Sequence, residues 1–77
     1  VKPVIMLRAG ETAKIIAVRS HDDQHMRKLT VFGLLPGADI EVLQTAPVYV
    51  LRIDNTELAL DYETAAGILV ATTRAGR

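Results

Sequence analysis

Apolar and polar positions alternate along this chain in two rhythms, and the change between them marks its elements. Residues 13–19 are rich in β-branched side chains, with Ile15, Ile16 and Val18, and predict a first strand after a turn at Gly10-Glu11. The period then lengthens. Met26, Leu29 and Phe32 recur at three-residue steps, so they share one face of a helix, and Phe32 is expected in the core. The helix is expected over about residues 22–32, with Asp22 or Asp23 capping its first turn. Gly33 stands where a helix end most often needs a left-handed residue. Pro36-Gly37 carries the type II turn pattern, a fixed φ followed by a free one.

Period two resumes after that turn. Ile40 and Val42 alternate with Asp39 and Glu41 in a strand over about residues 39–45, which Ala46-Pro47 interrupts. Tyr49, Leu51 and Ile53 share one face of a strand at 49–54, with Val50 and Arg52 on the other. Asn55-Thr56 reads as the tight turn into a short strand at 57–61, with Leu58 and Leu60 inward. Residues 62–66 suit one helical turn ended by Gly67. The run at 68–73 is a last strand, apolar on both faces. Five short strands and one real helix leave no room for parallel crossovers, which need a dozen or more residues each. The expected fold is all-β: a small SH3-like barrel with one short α-helix inserted after its first strand.

Composition narrows the function. The 77 residues form one expected domain, 1–77. There are no cysteines, so disulfides and thiol chemistry are excluded. Nine basic and nine acidic residues cancel, which argues against a nucleic-acid partner. No apolar run is long enough to cross a bilayer. The opening VKPVIML is too short for a signal peptide's apolar core, so a cytoplasmic location is expected.

Candidate chemistry is sparse. His21, Asp22 and His25 have the residue types of a metal site, since two histidines four apart on a helix can share one ion. His21 falls before the helix proper, and the acids serve equally well as caps. Ser20 is the only serine and has no base and orienting group in reach, so no enzyme is expected. No phosphate loop or other cofactor motif appears. Conventional Pro-rich peptide binding is disfavoured, because the aromatics are only Phe32, Tyr49 and Tyr62. Leu34, Leu35 and Leu43 fall outside the alternation. Either Leu34 plugs the barrel end and the others are scattered surface apolars, or they form a partner or self-association face beside Arg27 and Lys28. Should that face fail, residues 67–73 are the next place to seek strand-pairing contacts, as an exposed edge.

The order of these motifs resembles the FeoA domain family. Gly10-Glu11 with Ala13, Ile15 and Val18 is similar to the family's opening turn and strand. Arg27-Lys28-Leu29 and Phe32-Gly33-Leu34-Leu35-Pro36-Gly37 resemble its helix and turn signature. Ile40-Glu41-Val42, Ala46-Pro47, and Leu58-Ala59-Leu60 with Ile68 and Val70 resemble the remainder. Asp61 departs from the family, which often has Arg there. The resemblance implies a cytosolic accessory protein of ferrous iron uptake that docks to a FeoB-type membrane transporter. The same domain is similar to the C-terminal module of DtxR-type metal-dependent repressors. The alternative reading is a direct transition-metal sensor.

Overall fold

The computed structural model describes residues 1–20 and 22–72. Its elements in chain order are β1 (Lys2–Pro3), a 3-10 turn (Val4–Met6), β2 (Thr12–Val18), α1 (Asp23–Val31), β3 (Asp39–Gln44), β4 (Tyr49–Ile53), β5 (Thr56–Leu60), α2 (Tyr62–Ala66) and β6 (Ile68–Thr72). The six strands make one antiparallel sheet in the order β1-β6-β2-β3-β4-β5. One strand more than expected is present. A two-residue strand containing a proline carries no readable alternation, so β1 leaves no signal of its own.

The sheet encloses a core of Val4, Leu7, Ala13, Ile15, Leu29, Leu34, Ile40, Val42, Leu51, Ile53, Leu60, Ala65, Ile68 and Val70. The expected alternation holds on β3 and β4, where Ile40, Val42, Leu51 and Ile53 point inward. Two β-bulges break it elsewhere. Ile16 is the extra residue of β2 against β6, and Leu43 that of β3 against β4. Ile16 is accordingly exposed and Leu43 half-buried. Among the described residues, β1 and β5 end the sheet and do not pair with each other, so the ladder is an open sheet rather than a ring. The residue-68 strand is central, held between β1 and β2, and is not the exposed edge expected of it; Thr73 lies outside the described residues.

The β4–β5 turn sits one residue earlier than expected. Ile53 pairs with Thr56, so Asp54-Asn55 form the two-residue loop, and Asp54 takes the positive φ of 54°. Gly37 has φ +95°, and the Ala38 N–H donates to the Leu35 carbonyl at 3.0 Å, closing the turn around Pro36-Gly37. This turn delivers the chain back to β2, since the Gly37 N–H donates to the Ile15 carbonyl at 2.7 Å.

Candidate functional site

Helix α1 begins on its own sequence. Asp22 is its N-cap, with Oδ1 accepting from the Gln24 N–H at 2.9 Å and the His25 N–H at 3.4 Å. The Ser20 hydroxyl in turn accepts from the Asp22 N–H at 3.2 Å. The only serine therefore shapes the helix entry.

The helix ends in a Schellman motif. The Leu34 N–H donates to the Leu29 carbonyl and the Gly33 N–H to the Thr30 carbonyl, both at 2.9 Å, with Gly33 at φ +96°. That motif brings the residue after the glycine back over the last turn, so Leu34 packs into the core with Leu29 and is 1% exposed. Leu34 is thus no part of an exposed partner face. It takes the place expected of Phe32, which is the C-cap residue and stands 48% exposed. Leu29 is the one residue that the nine-residue helix buries.

Most of α1 therefore faces outward. Arg27 and Val31, and Lys28 and Phe32, stand four residues apart, so they adjoin on one helix face. These four line a groove of about 370 Å³. Val31 is 82% exposed, the barest apolar residue of the helix. Among the described residues the ion pairs are Lys14–Asp39, Arg52–Glu41 and Arg52–Glu57, all on the sheet, and neither Arg27 nor Lys28 joins one. Leu35 is 45% exposed beyond the Schellman turn, and neither it nor Leu43 lines this groove. The sequence reading missed Val31. Its signal was available: two residues past Leu29, Val31 falls well off the buried stripe.

A second groove, of about 750 Å³, lies between the start of α1 and α2, lined by Arg19, Ser20, Asp22, His25, Leu29, Glu63, Thr64 and neighbours. Here the His25 Nε2 approaches the Thr64 Oγ1 at 3.4 Å. Asp61 caps α2, its Oδ1 accepting from the Thr64 N–H at 2.8 Å. Hydrogen bonds from the Thr64 side chain and backbone hold the Asp61 carboxyl below its ordinary value, and the nearby His25 adds to this. Asp61 is thereby a local cap. Of the candidate metal set, Asp22 serves as a helix cap and His25 approaches Thr64, while His21 lies outside the described residues. Among the described residues no three His, Asp or Glu side chains gather as an ion would require. No helix there is long and apolar enough to cross a membrane.

Comparison with known proteins accounts for nearly the whole of this architecture. No curated protein matches the chain. Solved structures do. An iron uptake regulatory protein (FeoA) superposes with a TM-score of 0.82 at 21% identity, over 94% of this chain and 96% of its own. FeoA from Chlorobium tepidum gives a TM-score of 0.87 at 26% identity, over 97% of this chain and 73% of that one. FeoA from Stenotrophomonas maltophilia, solved with zinc and described as a prokaryotic SH3 domain protein, gives 0.79 at 19% identity, over 92% and 91%. The sheet with its inserted helix is the fold of these structures, the last of which is the one described as SH3. The FeoA domain family model matches residues 2–72, from β1 through β6, and this chain belongs to that family.

Proposed function

We propose that this protein is a non-enzymatic, cytoplasmic accessory module of ferrous iron uptake, acting by docking to the cytosolic part of a FeoB-type transporter. Family membership supports the iron-uptake setting. The observation that carries the docking mode is the outward face of α1. Val31 and Phe32 lie bare in one groove, with Arg27 and Lys28 beside them. An aromatic and an aliphatic anchor with charged groups at the rim is the usual anatomy of a binding hot spot. The matching partner surface offers an apolar contact and carboxylates. Leu35, exposed just past the Schellman turn, is the next apolar residue along the chain.

Binding of the purified protein to the transporter's cytosolic part tests this reading. A Val31→Gln, Phe32→Ala double change removes the anchors while keeping a good helix former at 31. Because both side chains are exposed, the thermal melt should barely move. Affinity should fall by at least about 1 to 2 kcal/mol. Unchanged affinity with an unchanged melt would reject the α1 face.

A further inference from the structure

The sheet has two edges, and they are built differently. β1 is two residues long and contains Pro3, two features that blunt an edge. β5, Thr56-Glu57-Leu58-Ala59-Leu60, has five residues, no proline and no lysine. Among the described residues it pairs only with β4. Thr56, Glu57 and Ala59 are exposed, so neither helix covers this edge.

The register fixes which backbone groups face out. A two-residue loop makes Ile53–Thr56 a hydrogen-bonded pair. Alternation then makes Leu51–Leu58 and Tyr49–Leu60 hydrogen-bonded pairs, and Arg52–Glu57 and Val50–Ala59 non-hydrogen-bonded ones. The N–H and C=O groups of Glu57 and Ala59 therefore point away from β4, toward solvent.

We infer that β5 is a self-pairing edge: two copies of this chain join β5 to β5, antiparallel, about a two-fold axis at Leu58. In that register Glu57 of one copy meets Ala59 of the other, twice, and the four outward groups of each copy are all used. Leu58 meets its own counterpart in the close, non-hydrogen-bonded position and covers it. Charge selects this register from its neighbours. An axis at Glu57 sets two glutamates directly opposite. An axis at Ala59 sets Glu57 against Asp61 of the other copy. Only the Leu58 axis puts a neutral residue opposite the acid, and Glu57 keeps its own Arg52 at 3.7 Å. This surface is separate from the α1 face, so each stands without the other.

The test uses Ala59, whose exposed side chain plays no part in the core. Sedimentation velocity over a concentration series is run on the wild type, Ala59→Glu and Ala59→Lys. The wild type should dimerise. Ala59→Glu places an acid opposite Glu57 at two symmetric positions and should weaken the dimer about 2- to 30-fold, while Ala59→Lys should hold or strengthen it. Amide exchange gives the residue-level reading: the Glu57 and Ala59 amides should slow as protein concentration rises. A monomer at all concentrations overturns the inference. So does a dimer indifferent to both charges, which would place self-association on another face. Protection of these two amides only on adding another protein would equally overturn it, since the edge would then serve a different chain.

Discussion

Gly67 shows how one residue joins two distant parts of the chain. A Cβ built there would run into the backbone carbonyl of Arg19, and the Arg19 N–H donates to the Gly67 carbonyl at 2.8 Å. The end of β2 and the start of β6 therefore touch across a gap that only glycine leaves open. Backbone cannot swing aside as a side chain does, so Gly67→Ala should cost about 1 to 3 kcal/mol. The melting temperature should fall by roughly 4 °C or more for a domain of this size. An unchanged melt would mean that the two segments do not approach so closely. Sequence shows Gly67 only as the end of a helical turn, because the carbonyl it accommodates lies 48 residues earlier. Gly33 and Gly37 were legible for the opposite reason. Their positive φ is demanded by the helix end and the Pro-Gly turn immediately around them. Phe32 is exposed where the core was expected, since helical periodicity was carried one step past the point where the Schellman motif redirects the chain, and of the two readings open for Leu34 the buried plug is the one that holds.

Elements were legible to within a residue or two wherever their pattern was local. α1, α2 and the strands from β2 to β5 all stand where alternation, caps and breakers put them. β1 was invisible, and the bulges at Ile16 and Leu43 were too, because an extra residue is defined only against a partner strand. The cap of α2 was likewise hidden while Asp61 read as the end of β5. This five-residue helix leans on Asp61 for its first turn. Since the folded carboxyl sits below its ordinary value, the ionised cap stabilises the fold above the unfolded pKa. That contribution is lost as pH falls through the lower, folded value. Asp61→Asn keeps a capping oxygen but no charge. The melting-temperature gap between wild type and Asp61→Asn should therefore be steady at neutral pH and shrink below about pH 4. A gap that stays constant down to pH 3 would show that the charge contributes nothing to α2.

At the scale of the whole molecule, alternation tells which face of a strand is inward but not which strands are neighbours. The fold class was legible, while the open ends of the sheet and the central place of β6 were not. The same limit applied to the site. Arg27 and Lys28 were expected beside Leu34, Leu35 and Leu43, but the apolar residues that share their groove are Val31 and Phe32 on their own helix. Leu34 turned inward, and Leu43 lies at the bulge of β3. A helix anchored in the core by Leu29, with its other side bare, is suited to present that side to another protein. The central claim is that this side is what the transporter meets. Amide chemical-shift mapping tests it most directly, with unlabelled cytosolic part of the transporter titrated into labelled protein. The expected result is a contiguous set of shifts at Arg27, Lys28, Val31, Phe32 and Leu35, with the β2–β3 sheet face unmoved. Shifts that spare α1 and gather elsewhere, or no shifts at near-millimolar partner, would contradict the claim.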